Sequence, residues 1–568
     1  MEITNRQIAK AFRLVSQLME LHEENPFKVR SLQNAAFKIE KIGVPLSEMD
    51  VTELASIEGI GKGLQTKITD FITRGSFTDL DELAARTPMG VVEMLSIKGI
   101  GPKKVGQLWK ELEIESVGEL LYACNENRLV SLKGFGEKTQ KAIQASIEFR
   151  ISNSSSCLFP IAEQFSLQLK EKFAEEKLSG RLELTGQIRR RCEVITSIDL
   201  LTTCDEKEMI AFLLKQEELI EQTIEKHSVE ICGRELEYIQ TLYDGKIQVR
   251  IFLTTNDAFT SDLFLTTSSD HHLEILKTNY NFKSKTKTES ESSIYSELNL
   301  PYFIPELREE GTEFTLIKNN ALPELVELND LRGILHNHST YSDGNHSLKE
   351  MAEYCKELGF EYLGMCDHSK SAFYANGLKE EAVIKQQAEI DKLNIALSPF
   401  KIFKGIESDI LFNGELDYNE SILKNFDFIV ASIHSNLKMD KAKATQRLIK
   451  AIENPFTTIL GHPTGRLLLS RPGYEIDHAK VIDACAENGV SIELNANPYR
   501  LDIDWRWISY ALERNVMISI NPDAHRKEGY HDMYYGVGAA RKGGLTRSMT
   551  LNALSLEAIE KKFAERKR

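Results

Sequence analysis

The sequence predicts a multidomain chain, helical in its first quarter and a barrel of β/α units at its C-terminal end. Its 568 residues are too many for one hydrophobic core and suggest three or four domains. From about residue 331, short apolar runs such as 362–365, 426–430 and 516–520 alternate with helical patterns, as parallel strands joined by crossover helices do. In the first 150 residues a short glycine turn recurs three times, each copy followed by a helical pattern. The C-terminal apolar runs end in His, Asp or Glu, and β/α barrels draw their chemical groups from those strand ends.

The densest of these ends begins Leu335-His336-Asn337-His338. If residues 333–335 finish a strand, His336 and His338, at i and i+2, leave one face and can share a cation. Further groups follow at later strand ends: Asp343, His368, Glu407, His434, His462, Asp523 and His525. A lone histidine is usually a surface or satisfied core residue. Here nine of the chain's 13 His lie between His336 and His531, and six stand at strand ends beside three carboxylates. That set exceeds one tetrahedral ion and reads as two or three Zn²⁺ or Mn²⁺. Clustered ions activate water at neutral pH and stabilise the entering and leaving oxygens of a phosphate ester.

The pattern resembles the polymerase-and-histidinol-phosphatase (PHP) domain, and its C-terminal placement resembles bacterial and archaeal family X DNA polymerases. The resemblance implies a distorted seven-stranded β/α (PHP) barrel in which His336, His338, Asp343, His368, Glu407, His434, His462, Asp523 and His525 are catalytic metal ligands. It also implies a DNA phosphodiesterase with 3′–5′ exonuclease and abasic-site or 3′-end processing activity. Residues 461–471 and 495–502 match the polymerase-attached branch. Lys370, Arg466 and Arg500 adjoin the ligand motifs and are candidate phosphate clamps, with solvated surface charge as the alternative.

No signal peptide opens the sequence and no window approaches the ~20 apolar residues a membrane span requires, so a cytoplasmic protein without a membrane partner is expected. The eight Cys are widely spaced with no Cys-x-x-Cys pair, which fits reduced, packed thiols. A net charge of −15 counts against nucleic acid, although backbone amides can hold phosphate within an acidic whole. The three turns offer such amides: Gly59 and Gly61, Gly99 and Gly101, Gly134 and Gly136. They resemble helix-hairpin-helix motifs, in which glycine lets the turn and the next helix N-terminus approach a phosphate. Sequence-independent binding of DNA, at gaps, nicks or 3′ ends, is the expectation.

Residues 5–74 resemble the small N-terminal domain that removes 5′-deoxyribose phosphate in eukaryotic family X enzymes, whose lysine nucleophile aligns with Lys67. The other two repeats carry Gln107 and Ala142 there, so Lys67 is not part of the repeat pattern. The family's aromatic and basic residues are replaced by Leu32 and Gln33, and an exposed helical lysine is ordinarily a solvated charge.

Residues 186–191 and 298–309 resemble the nucleotidyltransferase-like α+β palm and the end of the thumb of the same family. The resemblance calls for three carboxylates, two at i and i+2 on one strand and one on a neighbour, to hold two Mg²⁺. Here Ser197 and Arg250 occupy two of those places and only Asp199 remains. An arginine beside one carboxylate repels divalent ions, so a palm without polymerase activity is expected. Asp244 and Glu193 lie nearby, but in an expected turn and before the strand.

The expected organisation is a lyase-like helical domain with the first hairpin over 1–85, hairpin repeats over 86–155, palm and thumb over 156–317, a linker over 318–330 and the PHP barrel over 331–568. The expected function is metal-dependent DNA phosphodiester hydrolysis. Its alternatives are a phosphatase acting on a small phosphomonoester and a non-catalytic DNA-binding repair scaffold.

Overall fold

The computed structural model describes the chain apart from residues 1–4, 43–44, 50–53, 55–56, 58–59, 98, 131, 152–154, 220–223, 320 and 567–568. The chain forms two compact units, residues 1–125 with 132–149, and residues 126–131 with 150–568.

The first unit is helical. Helix Asn5–Leu21 buries Ile8, Phe12, Val15 and Met19, an apolar stripe at helical spacing, and packs on helix Pro26–Lys41. Asn25 caps that second helix by accepting from Phe27 N, and Pro26 occupies the first turn, where no intrahelical donor is needed. Helices Lys62–Arg74, Pro102–Leu112 and Glu137–Ile151 each start after one of the three glycine turns.

The second unit opens with helix Phe159–Glu175 on a five-stranded sheet ordered Leu182–Leu184, Ser197–Thr202, Ile247–Leu253, Arg234–Tyr243, Glu225–Ile231. Only the pair Ser197–Thr202 and Ile247–Leu253 is parallel. Ile198 and Leu200 face the core formed with Phe165, Phe212 and Val249, which turns Asp199 to the opposite face.

In the same unit, eight short strand segments build the barrel. Gly333–Ile334, Tyr362–Met365 and Lys401–Lys404 form one parallel sheet. Glu407–Asp409, Val430–Ser432, Ile459–Leu460, Ser491–Asn495 and Ile518–Asn521 form another. Lys401–Lys404 and Glu407–Asp409 are one chain path interrupted at Gly405-Ile406, so the barrel has seven paths. A Cβ at Gly405 would lie 2.6 Å from the Phe428 ring and 2.7 Å from Met365 O, which excludes a side chain at the break. Single parallel bridges, His368 to Glu407 and Asn337 to Ala524, join the sheets on both sides and close the ring at or beside candidate ligands. The strands are buried on both faces, as helix-covered parallel strands are, with Ile334, Leu363, Ile402, Ile492 and Ile518 in one core. Ser347 and Glu350 form a capping box on helix Leu348–Glu357, one of the crossovers.

Palm and barrel share buried polar contacts. Lys542, at the end of helix Met533–Lys542, donates to Arg190 O and Glu309 Oε1, both at 2.8 Å, while Arg190 Nε donates to Glu309 at 3.0 Å. Burial raises the Glu309 carboxyl, but Lys542 and Arg190 outweigh it and hold it down at about 2.

Candidate metal centre

The structure brings all nine expected ligands together. His336 and His338 leave one face after strand Gly333–Ile334; Asn337, between them, points away and donates to Gly364 O at 2.7 Å. Glu407 sits in the middle. Its carboxylate lies 3.3 Å from His336 Nε2, 2.8 Å from His368 Nδ1, and 3.1 Å from both His434 Nε2 and His462 Nε2. Asp523 lies 2.9 Å from His338 Nε2. Asp343 lies 3.3 Å from His525 Nε2 and 3.6 Å from His368 Nε2. None of these side chains is more than 4% exposed.

Among the described residues, four groups are close enough to hold ions: His338, Asp343, His368 and His525; His336, His338 and Glu407; His368, Glu407 and His434; and Glu126, Asp523 and His525. His336 Nε2, His338 Nδ1, His525 Nε2 and both oxygens of Asp343 are buried without a hydrogen bond of good geometry. Such atoms carry a desolvation cost that a cation offsets, and this mix of nitrogen and oxygen donors suits divalent metal ions. The electrostatics agree. Burial alone would raise Glu407 and Asp343, yet the surrounding imidazoles, led by His434 for Glu407 and by His525 for Asp343, pull both well below the usual carboxylate range. Burial lowers His368 to about 4, which keeps it neutral and able to ligate.

Three further carboxylates brace the candidate ligands or the loops that carry them. Glu493 accepts from His336 Nδ1 at 2.7 Å, from His462 N at 2.9 Å and from Asn521 Nδ2 at 3.1 Å. Asp409 accepts from His434 Nδ1 at 2.5 Å. Asp367 accepts from Ser339 N at 2.8 Å and Ser342 Oγ at 2.5 Å, fixing the loop that carries Asp343. A carboxylate on Nδ1 sets the tautomer that presents Nε2 to an ion.

The candidate clamps are placed differently. Arg500 is buried, and its charge adds to burial in lowering His462. Arg466 turns away, donating from Nε to Arg500 O at 2.9 Å and from its other nitrogens to Asp504 and Leu501 O, so it braces a loop. Lys370 pairs with Glu380 at 2.8 Å.

In the palm, Asp199 and Arg250 stand in register on the parallel pair. Arg250 donates from Nε and a terminal nitrogen to the two Asp199 oxygens at 2.8 and 2.7 Å, and Ser197 Oγ adds a bond at 2.6 Å. Asp244 has φ +49 in the turn between Arg234–Tyr243 and Ile247–Leu253, and Glu193 faces Arg506 at 3.8 Å. The remaining cavity, about 860 Å³, is lined by Gln187, Thr196, Ser268 and Lys277 among others.

In the first unit, Gly99 and Gly134 have φ of +100 and +90, and a Cβ at Gly61, Gly99, Gly101, Gly134 or Gly136 would meet nothing within 4 Å. Gly61 and Gly101 are the N-cap residues of their helices, where the first backbone N–H groups have no intrahelical partner. Gly59 lies outside the described residues. Lys67 donates to Asp79 at 2.7 Å, an ion pair an amine nucleophile would have to leave.

A closed β/α ring with clustered imidazoles and carboxylates at its strand ends is a barrel whose side chains could hold several metal ions, here on a chain with hairpin repeats. Comparison with known proteins agrees: residues 335–497 match the PHP domain, 3–77 a helix-hairpin-helix domain and 91–148 a SAM-like helix-hairpin-helix tandem. The chain is 34% identical to the DNA polymerase/3′-5′ exonuclease PolX of Bacillus subtilis (strain 168), over 98% of each chain. It therefore belongs to the family X DNA polymerases that carry a C-terminal PHP domain. A probable phosphatase of Thermoanaerobacter sp. (strain X514) is 27% identical over 41% of this chain and 96% of its own length. No helix among the described residues is long and apolar enough to cross a membrane.

Proposed function

We propose that this chain is a metal-dependent DNA phosphodiesterase, acting at 3′ ends or abasic sites, whose palm does not transfer nucleotides. The observation that carries the reading is the clustering of all nine candidate ligands, none of their side chains more than 4% exposed, on a chain that also has open space around Gly61, Gly99, Gly101, Gly134 and Gly136. The name of the Bacillus relative, which includes a 3′-5′ exonuclease, supports the substrate class.

His336, His338, Asp343, His368, Glu407, His434, His462, Asp523 and His525 would hold the ions. When bound, two or three Zn²⁺ or Mn²⁺ activate water and neutralise charge on a phosphodiester. Glu493 and Asp409 hold the imidazoles in one orientation, and Arg500, beside His462, adds a fixed positive charge where a phosphate approaches. The hairpin amides bind backbone phosphates without reading bases, so affinity should fall steeply with salt. In the palm, the bidentate arginine occupies the carboxylate that two-metal transfer needs.

A second reading, hydrolysis of a small phosphomonoester, is favoured by the barrel-length relatives named probable phosphatases. One experiment separates them: purified protein with Mn²⁺, end-labelled single-stranded, gapped and abasic DNA, and p-nitrophenyl phosphate in parallel. Cleavage of DNA well above turnover of the monoester supports the proposal; the reverse order supports the phosphatase. Primer extension in a His336→Ala background, which suppresses product degradation, should give no product above background, and extension that disappears with Asp199→Ala would overturn the account of the palm.

A further inference from the structure

We propose that Phe373 is a base-stacking platform at the rim of the metal centre, which selects a single-stranded nucleotide for hydrolysis. Phe373 is 70% exposed, on the short turn Phe373–Ala375 that follows the ligand His368. Isolated exposed apolar side chains are common on proteins, so position and rigidity must carry the argument. Parallel strands put every loop after a strand on one rim of the barrel, and that rim bears the ligands. Two other exposed apolar side chains, Phe412 and Leu469, follow the ligands Glu407 and His462 in the same way.

The turn is held firmly while the ring is left out. Ala372 and Ala375 are fully buried on either side of it. Ser371 N donates to Asp417 Oδ2 at 2.6 Å, Leu378 N to His368 O at 2.8 Å and Gly377 N to Ala372 O at 3.0 Å. A Cβ at Gly377 would fall 1.9 Å from Ser369 O, so the loop closes only with glycine there. Tyr374 links the ring to the site: its centroid is 5.8 Å from that of Phe373 and 6.3 Å from that of His368, edge-on to both. Phe373 therefore presents an open aromatic face two ring contacts from a metal ligand. A nucleobase fits such a face, because every base has a π surface and stacking tolerates any sequence. A paired base cannot reach it without leaving its helix, which makes the preference one for single strands or frayed ends.

This rests on the DNA reading above, and the test keeps the two apart. Full-length protein in EDTA is mixed with single-stranded oligonucleotides carrying 2-aminopurine at each position in turn. We expect quenching at one or two adjacent positions, lost in Phe373→Ala and kept in Phe373→Trp. With Mn²⁺, Phe373→Ala should raise KM for the oligonucleotide about tenfold, within the range of base–aromatic stacking, at unchanged kcat. The rise should vanish when the nucleotide at the quenched position is abasic. Unchanged quenching in Phe373→Ala, or an equal loss on the abasic substrate, would overturn the proposal. Absence of DNA hydrolysis by the wild type would instead overturn the phosphodiesterase reading and leave the quenching result to judge Phe373.

Discussion

Barrel and palm each carry buried acidic side chains, and they differ in what surrounds those side chains. Around Glu407 stand five imidazoles, and both oxygens of Asp343 lack hydrogen bonds of good geometry. Around Asp199 a guanidinium and a hydroxyl already fill both oxygens. A carboxylate matched by a fixed cation is an internal ion pair, whereas one set among neutralisable imidazoles with unmet lone pairs is a place for an ion. Counting acidic residues does not separate the two; the partner does.

The strongest break of this contrast removes the paired imidazoles. His336→Ala with His338→Ala should abolish phosphodiester hydrolysis and lower bound transition metal, read by elemental analysis of the purified protein. Treating wild type with EDTA should give the same loss, reversed by Mn²⁺. Wild-type rate and metal content in the double variant would place the chemistry elsewhere. Glu493→Gln is next. Glutamine keeps the size of the side chain but turns one acceptor into a donor, so it cannot accept from both His336 Nδ1 and His462 N. Metal affinity, by competition with a chelator, should fall about 10- to 100-fold.

The nine candidate ligands, which the structure brings together, were legible because each sits in or just after a short local pattern, a strand end followed by its own His, Asp or Glu. Glu493 was not, although a glutamate inside the buried strand Ser491–Asn495 is itself a signal, since Glu is almost never buried unpaired. Its partners lie 157 residues away at His336 and 31 away at His462. Separations of 34 and 35 residues hid the role of Arg466, which braces carbonyls of Arg500 and Leu501, and one of 12 residues hid the pairing of Lys67 with Asp79. The alternation of strands and helices gave the barrel, but not the break at Gly405, where one path serves two sheets. Arg250 opposite Asp199 was legible from the motif alone, and the parallel register places them side by side.

The joint between the two regions should respond to acid. Glu309 is held at about 2 against an ordinary 4.5. A depressed carboxyl contributes stability above its unfolded value and loses it as pH falls through the folded one. Melting temperature should therefore drop between about pH 4.5 and pH 2 more steeply in wild type than in Glu309→Gln, which lacks the titrating group. Parallel pH curves for the two proteins would show that Lys542 and Arg190 do not depend on that charge.

The smallest effect is the most specific to the contrast. Asp199→Asn leaves Arg250 with a weaker partner on a side chain 29% exposed, so water meets part of the deficit. A cost of about 1–3 kcal/mol in stability is expected, seen as a lower melting midpoint. Because Asp199 pairs with arginine and not with an ion, the drop should be the same in EDTA and in Mn²⁺. Wild type itself should melt higher with Mn²⁺, since an ion that binds only the folded barrel stabilises it by mass action, and His336→Ala with His338→Ala should lose that increment. The two variants thus test one statement from opposite sides. If Asp199→Asn also erased the Mn²⁺ increment, the palm carboxylate would be a metal ligand, and the ion pair with Arg250 would have to open when metal binds.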